Sequence, residues 1–139
     1  MQMSKLKTVL LSALLVGSLS QVGFAAKCDG FEIKIKNNLP KNLRVTRIQL
    51  TGADIQPRNV AILEANAEIP FIVSNSSKEM TGEIFFRTVT LPNAEIKILF
   101  KLRNGLIRCD FDNKTDAVSN GFAIDNSSLL GQRTSYTIG

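Results

Sequence analysis

Apolar and polar residues alternate along most of this chain. Phe31-Glu32-Ile33-Lys34-Ile35-Lys36 is the strictest case, with Phe31, Ile33 and Ile35 on one face and charges on the other. That is the pattern of a half-buried strand. Asn37-Asn38-Leu39-Pro40-Lys41-Asn42 is turn chemistry. Leu43-Arg44-Val45 resumes the alternation, and the phase then slips, because Val45 and Ile48 are three apart. A β-bulge near Thr46 or Arg47 returns both apolar sets to one side.

Residues 52–59 read as a loop containing Pro57, followed by short apolar runs at 60–63 and 69–73. Asn75-Ser76-Ser77-Lys78 is a polar turn. Residues 83–91 are rich in β-branched and aromatic types and end at Pro92-Asn93. The alternation at 95–102 turns Ile96, Ile98, Phe100 and Leu102 inward, leaving Leu99 and Phe85 out of phase with their surroundings. Either the sheet is covered on both sides there, or an apolar patch faces a partner. Asn104-Gly105 is the firmest local expectation: the pair tolerates positive φ, so 95–102 and 106–112 should form an antiparallel hairpin on a tight turn. Thr134 to Ile138 reads as a last strand and Phe122 to Ile124 as another short one, with a helical turn possible over 127–132. The fold class expected is an all-β, antiparallel β-sandwich or barrel of seven to nine short strands.

The N-terminus is a different kind of segment. Lys5 and Lys7 precede the apolar run TVLLSALLV at 8–16, and Gly23 and Ala25 place small residues at −3 and −1 of a cleavage point after Ala25. Residues 1–25 are thus expected to be a secretory signal peptide, and 26–139 one domain that is secreted or periplasmic. The apolar run is too short to span a bilayer, which takes about 20 residues, and the mature chain offers no transmembrane segment. Loss of Lys5 and Lys7 lowers the formal charge from +5 to +3. So small an excess argues against a nucleic-acid partner.

Export changes the meaning of Cys28 and Cys109. In an oxidising compartment an even pair reads as one disulfide, with two free thiols as the competing reading. In the segment IRCDFDNKTD, residues 107–116, Ile107, Cys109 and Phe111 share the inward face and Arg108, Asp110 and Asp112 the outward one. Asp110, Asp112 and Asp116, with the Asn113 oxygen, can ligate calcium, which takes six to eight oxygens. The plain alternative is a solvated strand end whose aspartates Arg108 and Lys114 offset. Asn75, Asn113 and Asn126 each begin an N-x-S/T triplet and read as turn residues.

Catalysis is narrowed by elimination. The chain has no histidine, which removes Ser-His-Asp and Cys-His sites and histidine-ligated zinc. A disulfide removes cysteine chemistry as well. No glycine-rich phosphate loop or nucleophile elbow occurs. The chain therefore reads as a non-enzyme with no organic cofactor. Its expected contact residues are basic: Lys34, Lys36 and Arg44 on the outer face of the first two strands, and Lys41 at their turn. A solvated charged face is the alternative there.

The runs IKIKNNLPKNLRV, GADIQP and TGEIFF, between Ile33 and Phe86, resemble the layout of aegerolysin and actinoporin-type sandwiches. That resemblance implies lipid binding and, for some members, pore formation with a partner. In size, paired cysteines and β pattern the mature chain also resembles small secreted proteins of intracellular gammaproteobacterial pathogens. The function expected is a binding module engaging a host-surface glycan, lipid or protein. A structural, pilin-like subunit is the alternative from another class, completing a neighbour's sheet with the strand around Tyr136. Oligomeric state is left open by the sequence.

Overall fold

The strictest alternation in the sequence becomes the first strand of a computed structural model that describes residues 26–139. The expected signal peptide lies outside the described residues. Eleven strands follow in chain order, β1 (Glu32–Asn37), β2 (Leu43–Thr51), β3 (Asp54–Gln56), β4 (Ile62–Leu63), β5 (Glu68–Ser74), β6 (Glu79–Thr88), β7 (Glu95–Asn104), β8 (Cys109–Asn113), β9 (Val118–Ser119), β10 (Phe122–Leu129) and β11 (Arg133–Ile138). The number exceeds the expectation because β3 is a three-residue piece inside the segment read as a loop, and β9 a two-residue piece in a segment where no strand was expected.

The strands form two packed sheets, ordered β3-β5-β1-β11-β10-β9 and β4-β2-β6-β7-β8. Every pairing is antiparallel except β1 with β11, which run parallel. Consecutive strands β1 and β2 belong to different sheets, so the Asn38–Asn42 turn carries the chain across the sandwich. The bulge is present, between Val45 and Arg47 of β2. It keeps Val45 and Ile48 both against the core, as the phase slip required.

The core is the set of inward residues from both sheets, among them Ile33, Ile35, Phe71, Ile84, Phe86, Ile96, Ile98, Phe100 and Tyr136. Gly82 interrupts the apolar phase of β6 for a steric reason. It lies opposite Phe100 on β7, and a Cβ there would sit 2.1 Å from the Phe100 ring. Phe85 and Leu99 are half-buried on the outer face of the five-stranded sheet. Phe85 is flanked by Lys97 and Arg47, at 5.3 and 5.9 Å from its ring centre, so its neighbours' cationic side chains cover it.

Two local expectations change. Asn104 and Gly105 do not form a two-residue turn. β7 runs on through Asn104, a four-residue loop (Gly105 to Arg108) follows, and the Gly105 N–H donates to the Arg108 carbonyl at 3.0 Å. Ile107 lies in that loop, exposed, rather than on the inward face. Residues 127–132 hold no helical turn: β10 continues to Leu129 and reverses through Leu130 and Gly131 into β11.

Candidate functional site

Cys28 and Cys109 form the disulfide, tying the N-terminal turn before β1 to the start of β8 and so one sheet to the other. Asn104 organises the loops around it. Its Oδ1 accepts from the Cys28 N–H at 2.6 Å, and its Nδ2 donates to Ser76 Oγ at 2.9 Å and the Ser77 carbonyl at 2.7 Å. Asp29 Oδ1 accepts from both the N–H and the hydroxyl of Ser76. The Asn-Gly pair was thus informative for a second reason, since its asparagine side chain is a strut between loops.

Two tips project from this base. The β7–β8 loop carries Leu106 and Ile107, 100% and 85% exposed, and the β10–β11 turn carries Leu129 and Leu130, 47% and 69% exposed. They are neighbours, because Cys109 bridges to Gly131 and Gly131 lies against Arg108. Gly131 has φ +78°, and a Cβ there would approach Arg108 Cβ to 3.0 Å, so a side chain would part the two tips. Lys27, Lys78, Arg103, Arg108 and Arg133 stand around this end, against Asp29, Glu79 and Asp110. Arg108 has only a loose ion pair, 3.9 Å to Asp110.

From these tips an open seam runs between the sheets. β8 is the edge of the five-stranded sheet, and beyond Ala123 β10 has no strand on the side away from β11. A cavity of about 240 Å³ fills the seam, lined by Phe111 and Asn113 of β8, Asn126, Ser128 and Leu129 of β10, and Leu130 and Gly131. Its lining carries no charged side chain. Asn126 and Ser128 occupy inward positions of β10, where apolar residues are the rule. They are held by Thr134: Asn126 Nδ2 donates to Thr134 Oγ1 at 2.6 Å, and the Ser128 and Thr134 hydroxyls are 2.8 Å apart. Asn126, expected at a turn, is therefore a strand residue, whereas Asn75 does sit at a turn with φ 49°.

The structure does not assemble the calcium ligands. Among the described residues no group of three acidic, histidine or cysteine side chains is placed to hold a metal. Asp110 faces Arg108, and Asp112 pairs with Lys114 at 2.8 Å. The Asn113 oxygen is already engaged, accepting from the Thr115 N–H at 2.9 Å and the Tyr136 hydroxyl at 2.7 Å. Residues 113–115 thus form a side-chain-braced turn, and Asp116 lies beyond it.

The basic quartet is also divided. Lys34 and Lys36 lie on β1 in one sheet and Arg44 on β2 in the other, whose outer faces point in opposite directions. Lys34 stands between Glu32 and Glu68, at 3.8 and 3.9 Å, and Lys41 lies over the Phe122 ring. Their proximity in sequence misled because the turn that joins them crosses the sandwich. A further cavity of about 430 Å³ lies on the five-stranded sheet, where Met80, Leu102 and Phe111 are ringed by Glu79, Lys101, Arg103, Asp110 and Asp112, with both charge signs interleaved.

The segment around Tyr136, expected as a donor strand, is paired on both sides within this chain. β11 is an internal strand of its own sheet, paired to β1 and β10, and Tyr136 is fully buried. The exposed aliphatic tips went unread in the sequence because Leu106 and Ile107 were counted into a strand. No protein-family model matches the chain, and no curated protein is significantly similar to it in sequence.

Proposed function

We propose that this protein is an exported, non-enzymatic binding module that docks on an anionic lipid surface through the tips at its disulfide end. The observation that carries the reading is the pairing of Leu106 and Ile107 with Leu129 and Leu130 on two adjoining convex tips. Exposed aliphatic side chains with Arg108 beside them, at an end where five cations are mixed with three acids, suit insertion into a headgroup layer better than a small-molecule pocket. The magnitudes require both features. Each inserted aliphatic contributes about 2 kcal/mol, and each basic residue near an anionic leaflet about 1 kcal/mol. Against the cost of immobilising the protein, neither set suffices alone. The non-enzymatic part of the reading rests on the absence of histidine and the closure of both cysteines.

Flotation of the mature protein with vesicles tests it. Wild type should float with phosphatidylserine-containing vesicles, far less with phosphatidylcholine alone, and less as salt rises. Leu106→Ser/Ile107→Ser should remain at the bottom of the gradient while melting at the wild-type temperature. Flotation of neither protein, or equal flotation of both, would overturn the reading.

A further inference from the structure

We infer that the cavity of about 430 Å³ on the five-stranded sheet is a headgroup site for phosphatidylserine, set just behind the inserting tip of the β7–β8 loop. The inference rests on the lipid reading and narrows it from anionic surfaces in general to one headgroup. β6, β7 and β8 lie side by side here. Their register places outward residues in two rows, Glu79-Arg103-Asp110 nearer the disulfide end and Thr81-Lys101-Asp112 behind it. All six are exposed and line the cavity. The row between them, Met80-Leu102-Phe111, turns toward the core, and that alternation leaves the space. The volume is within the range of small-molecule sites.

Pairing within the protein decides which of these charges are open to a ligand. Asp112 is held by Lys114 at 2.8 Å, and Asp110 faces Arg108 at 3.9 Å. Among the described residues Glu79, Lys101 and Arg103 take part in no ion pair. The open set is therefore two cations and one carboxylate, with Thr81 opposite Lys101. Its complement is a group with two anionic centres and one ammonium. Phosphatidylserine carries that combination, as phosphate, carboxylate and ammonium. Phosphatidylglycerol has a phosphate alone, and phosphatidylethanolamine lacks the second anion. The quaternary ammonium of phosphatidylcholine has no N–H to donate to Glu79.

The cavity's place in the fold favours a membrane source over a free solute. Leu106 lies three positions after Arg103, so their Cα atoms are at most about 11 Å apart. An apolar element at a membrane surface sits about 5–10 Å into the boundary between headgroups and acyl chains. With the Leu106 tip inserted, the Arg103 row therefore stands among the headgroups. Lys101 is about 7 Å further along β7, away from the tip. The order suits a lipid that presents its phosphate to Arg103, its serine carboxylate to Lys101 on the water side, and its ammonium to Glu79.

Three vesicle preparations with the same fraction of anionic lipid test this: phosphatidyl-L-serine, phosphatidyl-D-serine and phosphatidylglycerol. Charge attraction and tip insertion treat all three alike. A three-point site does not, and wild type should bind the L-serine vesicles about tenfold more tightly than either of the others. Glu79→Gln separates the two accounts by sign. Removing an acid tightens binding to every anionic vesicle if charge alone acts. Here it should weaken binding to L-serine vesicles by about fivefold while tightening binding to phosphatidylglycerol. Lys101→Gln should lower L-serine binding about fivefold more than phosphatidylglycerol binding, and serves if the first variant is unstable. Equal binding of the three vesicles would overturn this site and leave the docking tips standing, whereas binding to none would remove both. Tighter binding of Glu79→Gln to L-serine vesicles would also overturn it. So would displacement of the protein by micromolar soluble glycerophospho-L-serine, which would assign the cavity to a free solute.

Discussion

At the disulfide end Asn104 braces three loops and is half-buried, while at the opposite end Asn37 is fully buried and does the comparable work alone. Asn37 Nδ2 lies 2.8 to 3.2 Å from the carbonyls of Lys41, Leu63 and Glu64, and its Oδ1 accepts from the Leu39 N–H. It thereby ties the turn crossing between the sheets to the β4–β5 connection. Asn104 has the Cys28–Cys109 bond beside it, closing a loop of sequence separation 81. A covalent base lets that end carry side chains that contribute nothing to folding, such as Leu106. The other end has no such bond, and its hub cannot be spared.

The largest effect expected is loss of the crosslink. Cys28→Ser/Cys109→Ser removes a constraint on the unfolded chain worth about 4–5 kcal/mol for a loop of this length. Urea unfolding of the variant, and of wild type with and without reductant, measures it. A loss below about 1 kcal/mol would mean that the two ends do not differ as argued.

Asn37→Ala comes next. It leaves the Leu63 carbonyl without its buried donor and removes the bonds to the Lys41 carbonyl and the Leu39 N–H, at a cost of about 2–3 kcal/mol, while the Glu64 carbonyl keeps the Ala67 N–H. Asn104→Ala, near water and next to the disulfide, should cost about 1 kcal/mol in the oxidised protein. The contrast is sharpened by a double-mutant cycle. In the serine-for-cysteine background the cost of Asn104→Ala should change, because its acceptor oxygen holds the backbone of Cys28 itself. Additive behaviour there would show that the asparagine and the bridge act independently.

The same contrast explains what could be read in advance. Period-two segments gave β1, β7 and β11 close to their true limits, and the three-residue spacing of Val45 and Ile48 located the bulge before any coordinates. These signals are local and set by which face is buried. Two kinds of information were missing. Partner choice is non-local: nothing in Ile33 or Tyr136 shows that β1 and β11 pair in parallel, or that β1 and β2 part to opposite sheets, which divided the basic quartet. Side-chain use at turns is also ambiguous. Asn104-Gly105 fits a tight hairpin by composition, yet the asparagine's amide is used across loops, and the turn becomes four residues with Leu106 and Ile107 outside. The tips were thus hidden by a hairpin register, and the seam by polar residues, Asn126 and Ser128, that resemble loop composition.

The smallest effect expected lies between the two ends, at the chain's single tyrosine. Tyr136 is fully buried beside Phe111, edge to face at 6.3 Å, and its hydroxyl donates to Asn113 Oδ1 at 2.7 Å. Burial pushes its pKa well above the ordinary 10.0, because the phenolate would lose its hydration. Absorbance at the tyrosinate band, in native protein and in urea, should show the native transition displaced to higher pH. The sign for stability follows. The contribution of the neutral phenol is complete below the unfolded value, and falls as pH rises from there toward the native one, since only the unfolded chain releases the proton. Tyr136→Phe should abolish that fall while costing about 1 kcal/mol at neutral pH, for the lost hydrogen bond and the Asn113 oxygen left with Thr115 alone. A native tyrosine titrating at its ordinary value would place the hydroxyl in water, and the inward face of β11 would then be open to the seam rather than sealed by Phe111.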